Sequence, residues 1–186
     1  PFFRLTFLAV FWAIGVSMLA LSVLVRLPRK AILIIGLALV GLHNLLDHVP
    51  VGEQGGTALA FDLLHRVGFF PLWGEHVLVV QYPVLPWIGT MALGYCLGAL
   101  YAPDVTSAHR KSTLLRLGMA VTVLFIGLRA LNIYGDLVPW SDQPGHVKDL
   151  LSFLNVTKYP PSLLYLSMTL GPALLFLGWA EGDDPG

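Results

Sequence analysis

Apolar residues are concentrated in five long runs, which polar or turn-forming residues separate. A helix needs about 20 consecutive apolar residues to cross the hydrocarbon core of a bilayer. The pattern therefore predicts an all-α integral membrane protein with about five transmembrane helices, at about residues 3–25, 31–49, 83–101, 112–133 and 160–179. The link between the first two helices is so short that they must form an antiparallel hairpin.

Two long connections, residues 50–82 and 134–159, each contain a shorter stretch with helical spacing. The first is Thr57–Val67, with apolar positions at Leu59, Leu63, Leu64 and Val67 and with Asp62, His65 and Arg66 on the other faces. The second is His146–Leu154, which follows a turn. Both are too short to span a bilayer, so we predict two short interfacial helices in these loops.

The last hydrophobic run is preceded by the sequence Lys158-Tyr159-Pro160-Pro161. Proline is tolerated in the first turn of a helix, where its missing N–H has no intrahelical partner. We therefore predict that a helix begins near Pro160, with Lys158 and Tyr159 just outside it. The free N–H groups and partial positive charge of a helix start would join the lysine in an anion-binding spot.

The composition supports a membrane protein, because 56% of the residues are hydrophobic and only 12% are charged. Soluble domains are about 25% charged. The formal net charge is zero, which argues against a nucleic-acid surface. The single cysteine, Cys96, excludes an internal disulfide and a cysteine-based metal cluster.

Basic residues predict the orientation, since cytoplasmic loops carry an excess of lysine and arginine. The links after the first and third spans hold Arg26, Arg29, Lys30, Arg110, Lys111 and Arg116. We therefore expect links 26–30 and 102–111 in the cytoplasm and the long loops 50–82 and 134–159 outside.

We interpret residues 1–186 as a single membrane domain. The chain starts with Pro1 and enters a hydrophobic run almost directly, so we expect it to be an N-terminally truncated fragment of a longer protein. The tail Glu181–Gly186 is polar and is expected to be a solvated end.

Polar residues gather at the predicted outer ends of the spans rather than along them. Ionisable groups within a membrane usually face a cavity or a partner. Because neighbouring spans run antiparallel, these residues are expected at one membrane level, and we take them as candidate site residues. They are His43, Asn44, Asp47, His48, Trp87, Arg129, Asn132, Lys158 and Tyr159.

His43 and Asp47 are the candidate catalytic pair, because residues four apart share one face of a helix. A carboxylate beside an imidazole orients the ring and stabilises its charged form, as a general base requires. A structural ion pair, or two residues in the hydrated headgroup region, would give the same spacing. A metal would need a third ligand from His65, His76 or His146, and since this spacing matches no metal motif, none is expected.

Asn44, His48, Arg129 and Lys158 are candidate substrate-binding residues with ordinary alternatives. Arg129 either extends to the interface, pairs with Asp47 or Asp136, or binds an anionic substrate. Lys158 either anchors the topology or contributes to the anion site.

Three stretches, Tyr82–Tyr95, Leu128–Asp136 and Phe153–Tyr165, resemble a bacterial multi-pass membrane family related to heparan-alpha-glucosaminide N-acetyltransferase. Trp12–Met18 and His43–Asp47 are also similar to it. The resemblance implies a transmembrane acyltransferase of the bacterial plasma (inner) membrane, with acetyl-CoA as donor and a sugar or glycan as acceptor across the bilayer. The matched pocket positions are Trp87, Arg129, Asn132, Lys158 and Tyr159.

Members of this family begin with further helices that carry an Arg-Gly motif and a histidine beside an aspartate. This chain has no counterpart of them, so the resemblance implies missing N-terminal helices that hold the main catalytic histidine. It also raises the question of whether the chain is active alone. The basic link residues would either contact the phosphates of CoA or serve only to set the topology. A transporter or flippase for a polar or lipid-linked substrate, and a structural membrane subunit, are the alternatives.

Overall fold

The computed structural model describes residues 4–53 and 55–182, and most of them are helical. The helices are α1 (Val10–Leu24), α2 (Arg29–Leu42), α3 (Gly56–Leu64), α4 (Leu85–Leu97), α5 (Ser107–Leu131), α6 (His146–Leu154) and α7 (Leu163–Ala180). Two 3-10 helices, His43–His48 and Gly98–Tyr101, extend α2 and α4. The strands are β1 (Leu5–Leu8), β2 (Gly68–Pro71) and β3 (Val77–Val80). Phe3, Gln54 and the last four residues of the predicted tail lie outside the described residues.

The chain forms two compact units. The first unit contains the residues up to Cys96 together with Tyr159–Pro161, and the second contains Leu97–Lys158 and the residues from Ser162 onward. The first unit therefore holds α1 to α3, α4 up to Cys96 and the sheet, and the second holds α5, α6 and α7.

Helices occupy all five predicted spans, and three stretches of helix are long and apolar enough to cross a membrane. These three are Arg29–His48, Ser107–Leu131 and Leu163–Ala180. The helices Val10–Leu24 and Leu85–Tyr101 are apolar but shorter. By length and composition, three helices among the described residues could therefore cross a membrane, and both short helices predicted in the loops are present as α3 and α6.

A three-stranded sheet in the first unit was not predicted from the sequence. β3 pairs in parallel with β1 and antiparallel with β2, in the order β1-β3-β2. The β-branched residues of Val77–Val80 favour a strand, and pairing with them makes Leu5–Leu8 extended. The first predicted span is therefore wrong at its start, because the apolar run that begins there contains a strand followed by a 15-residue helix.

Glycines allow the close contact between α5 and α7 in the second unit. A Cβ at Gly118 would lie 2.7 Å from the backbone nitrogen of Leu175, and one at Gly178 would lie 3.1 Å from that of Leu115. Positions rise along α5 as they fall along α7, so the two helices are antiparallel. Small residues at helix contacts are typical of membrane proteins, where they let backbones approach each other.

We expect Gly118→Ala to destabilise the second unit, because a methyl group there overlaps the backbone of α7. Overpacking of this kind costs about 1–3 kcal/mol. The measurement is the midpoint of thermal unfolding of the purified protein in detergent. Gly127→Ala on the same helix is the matched control, since a Cβ at Gly127 has nothing within 4 Å. An equal fall in both midpoints would contradict the packing explanation.

The last helix starts three residues after the predicted position. Leu163 is its first residue, and Ser162 is the N-cap, with its Oγ accepting a hydrogen bond of 3.0 Å from the Tyr165 N–H. A serine hydroxyl satisfies a free N–H of a helix start, which proline cannot do. The predicted helix start near Pro160 is therefore wrong, and the helix begins at Leu163.

Candidate functional site

In α3 the polar side of the helix is the buried side. Ala58 and Asp62 are the buried residues of this helix. His65, one turn beyond Asp62, is only 2% exposed, whereas Leu64 is 45% exposed. The sequence placed Asp62 and His65 on faces away from the apolar stripe, and the structure turns these faces inward. Membrane proteins commonly orient ionisable groups toward the protein interior.

Asp47 receives two hydrogen bonds from buried partners in the first unit. Its Oδ2 accepts from Asn44 Nδ2 at 2.8 Å, and its Oδ1 lies 2.8 Å from His65 Nε2. The side chains of His65 and Asp47 are only 3% and 5% exposed. We name His43, Asn44, Asp47 and His65 the polar cluster.

The predicted side-chain pairing of His43 with Asp47 is wrong, because the expected α-helix does not continue through these residues. Residues 43–48 form a 3-10 helix, in which residues three apart are aligned. Asn44 rather than His43 therefore lies beside Asp47, and the imidazole that Asp47 binds comes from His65 beyond α3.

His43 faces backbone carbonyl oxygens with both ring nitrogens. Nε2 lies 3.0 Å from the Pro161 oxygen, and Nδ1 lies 3.0 Å from the Val40 oxygen and 3.1 Å from the Leu39 oxygen. Carbonyl oxygens only accept hydrogen bonds. His43 is thus positioned as a donor that ties Pro161 to the end of α2.

His65 differs from His43 at its second ring nitrogen. Nδ1 is buried and has no hydrogen-bond partner among the described residues. The edges of two rings pack against the imidazole, with centroid distances of 5.5 Å to Phe61 and 5.9 Å to His43. The ring orientation is therefore fixed by Asp47 on one side and by aromatic packing on the others.

Three aromatic side chains lie together elsewhere in the first unit. Tyr82 is 5.9 Å from Trp87 and 5.2 Å from Tyr159 between ring centroids, and the two tyrosine hydroxyls are 3.1 Å apart. Trp87 Nε1 is buried without a partner among the described residues. We name Tyr82, Trp87 and Tyr159 the aromatic group. His48, another predicted substrate-binding residue, is exposed at the end of its 3-10 helix.

In the second unit, Arg129 is 1% exposed and binds four carbonyl oxygens. Its Nε donates to Phe153 at 2.9 Å, and its terminal nitrogens donate to Val138, Ser152 and Asn155 at 2.8, 3.1 and 2.7 Å. Three of these acceptors lie at the C-terminal end of α6, where a cation also complements the helix dipole. This predicted substrate residue therefore holds α6 to the last turn of α5.

Asn132 and Asp136 organise the rest of the same connection. Asn132 caps α5 in a left-handed conformation, with φ 52°, and its amide exchanges two hydrogen bonds with the backbone of Trp140. The Asp136 carboxylate accepts from the Val138 and Thr157 N–H groups and from the Thr157 and Ser162 hydroxyls, at 2.7–2.9 Å. The side chains of Asn132 and Asp136 therefore hold the backbone of this connection. Lys158, the residue after Thr157, is exposed.

Comparison with known protein families matches residues 5–137 to the family described as "Heparan-alpha-glucosaminide N-acetyltransferase, catalytic". The chain belongs to this family. The match covers well over half of the chain and includes the whole polar cluster and Arg129, whereas the Phe153–Tyr165 stretch lies beyond it. No curated protein and no solved structure matches the chain.

The cationic side chains of the two short links differ in their surroundings. Arg26, Arg29 and Lys30 are exposed. Arg110 instead forms a 2.7 Å ion pair with Glu181 and lies over the Tyr101 ring. The hydrogen bond from Arg110 lowers the pKa of Glu181, so the pair is charged at neutral pH.

His65, which the structure places against Asp47, was not among the predicted catalytic residues. From the sequence, His65 was a candidate only for the third ligand of a metal site. The described residues contain no group of three or more histidine, cysteine, aspartate or glutamate side chains arranged to hold a metal. The sequence signal for His65 was its spacing of three residues from Asp62, on the polar side of a short predicted helix.

Proposed function

We propose that this chain is a membrane acetyltransferase that transfers acetyl from acetyl-CoA to a hydroxyl or amine of a sugar or glycan. The observation that carries the proposal is that residues matching an N-acetyltransferase catalytic domain build a buried carboxylate–imidazole pair. Acyl transfer to a hydroxyl or amine needs a group that removes a proton from the acceptor. A buried Asp47–His65 pair supplies the residue types for that step.

The aromatic group is the proposed acceptor surface. Aromatic rings combine a large apolar face with polar edges, and ligand sites are commonly lined by such rings with a few oriented polar groups. Tyr82 and Tyr159 offer hydroxyls, and Trp87 offers a buried indole N–H without a partner among the described residues. Sugars present both apolar C–H faces and hydroxyls, so this surface suits them.

The proposed donor side is the link between α1 and α2. Arg26, Arg29 and Lys30 are exposed there and would contact the CoA phosphates, since cationic side chains favour phosphate oxygens. Because cytoplasmic loops carry an excess of lysine and arginine, we place this link on the cytoplasmic side of a bacterial inner membrane and the two long loops outside. We further propose that additional N-terminal helices of the same protein complete the site within the bilayer.

The test is acetyl transfer by the purified protein in proteoliposomes, with acetyl-CoA as donor and glucosamine as acceptor. We expect release of CoA in a one-to-one ratio with acetylated sugar, measured by a thiol reagent and by mass spectrometry. Movement of unmodified sugar across the vesicle without CoA release would instead identify a transporter. The absence of both CoA release and sugar movement would contradict the proposal.

A further inference from the structure

We propose that His65 is the general base of acetyl transfer, and that Asp47 and Asn44 position it. The inference rests on the proposed function, because a base requires an acetyl acceptor on which to act. It assigns the proton-transfer step to one atom, His65 Nδ1.

The hydrogen bonds around His65 define which ring nitrogen carries the proton. An ionised carboxylate only accepts, so Asp47 Oδ1 receives the proton of His65 Nε2 across 2.8 Å. A neutral imidazole has one donor nitrogen and one acceptor nitrogen. Nδ1 therefore carries the lone pair, and it is the atom without a partner among the described residues.

Asn44 orients the Asp47 carboxylate, which in turn orients the His65 imidazole. Its Nδ2 donates to Asp47 Oδ2 at 2.8 Å, which leaves Oδ1 directed at His65. The packing of Phe61 against the imidazole limits rotation of the ring. A base held in this way needs little reorganisation when the acceptor arrives.

The other buried histidine in the described part of the chain is unsuited to this role. Both nitrogens of His43 face carbonyl oxygens, so neither is directed at a substrate. The remaining buried carboxylate, Asp62, is paired with Arg66 through a 2.7 Å contact to Nε. Among these groups His65 alone combines a positioning carboxylate with a ring nitrogen that has no hydrogen-bond partner among the described residues.

His65 Nδ1 takes the proton from the acceptor O–H or N–H as that oxygen or nitrogen bonds to the thioester carbonyl carbon. The carbon–sulfur bond then breaks, and the imidazolium returns its proton to the CoA sulfur. The products are the acetylated acceptor and CoA, and His65 ends in its initial state.

The test compares His65→Gln with the wild-type protein in the acetyl-transfer assay. The glutamine amide keeps a donor for Asp47 but has no basic nitrogen. We expect kcat to fall by about 100-fold or more, with the KM for acetyl-CoA nearly unchanged, because general bases contribute about 10²–10⁴-fold. We also expect the acid limb of the kcat/KM profile to disappear. His109→Gln, at an exposed position of α5, is the control for a lost imidazole.

The outcomes separate this inference from the proposed function. Wild-type transfer with a His65→Gln rate within about threefold, and with the acid limb intact, would overturn the inference and leave the acetyltransferase in place. Loss of the acid limb in His43→Gln but not in His65→Gln would assign the base to His43 instead. Absence of acetyl transfer by the wild-type protein would overturn both.

Discussion

Replacing Asp47 by asparagine is expected to lower kcat for acetyl transfer by about 10²–10⁴-fold, the range that a positioned base contributes. The substitution keeps the size of the side chain and removes its charge. The expected loss comes from the proton on His65, which moves to the wrong nitrogen.

Asn44 determines how the new amide at residue 47 is oriented. The Asn44 Nδ2 group donates toward Oδ2 of Asp47, so the amide oxygen of an asparagine there takes that position. The amide nitrogen then faces His65 Nε2 and donates to it. His65 must place its own proton on Nδ1, and the lone pair that would accept the substrate proton is lost.

The measurement is kcat for acetyl transfer alongside the thermal midpoint of the same preparation. Asp104→Asn is the matched control, since Asp104 is exposed. An Asp47→Asn protein that is folded and retains wild-type kcat would show that the carboxylate has no role in catalysis.

Replacing Arg129 by alanine is expected to destabilise the second unit by about 3 kcal/mol, because an unsatisfied buried acceptor costs about 1–3 kcal/mol and several lose their donor together. The guanidinium binds four carbonyl oxygens from two segments of the connection between α5 and α7. Lysine in its place would not restore the fork geometry, since it carries one compact ammonium group.

The thermal midpoint in detergent is expected to fall by on the order of 10 °C for Arg129→Ala. Arg116→Ala is the control on the same helix, because Arg116 is exposed. An unchanged midpoint for Arg129→Ala, together with a raised KM for acetyl-CoA, would contradict the structural role and return Arg129 to substrate binding.

The hydrophobic pattern predicted the positions of the helices, because lipid imposes long apolar stretches whatever their tertiary partners. It could not predict β1, since an extended Leu5–Leu8 has the same composition as the start of a span. Only pairing with Val77–Val80, about 70 residues away in the chain, makes this segment a strand.

The candidate site was predicted in part. Polar residues of the second span did mark a buried cluster, with His43 and Asn44 among the buried residues. The pairing within it depends on the change from α-helix to 3-10 helix at His43, which the sequence does not indicate. The role of Arg129 was equally hidden, because its partners are backbone carbonyls that no side-chain pattern reveals.

A double-substitution cycle of Asp47→Asn and His65→Gln on the acetyl-transfer rate tests most directly whether the two residues act as one base. Residues that act as a unit give strongly non-additive losses. We expect the double variant to lose no more activity than the more impaired single variant. Losses that multiply, so that the double variant shows the product of the two single effects, would contradict the account.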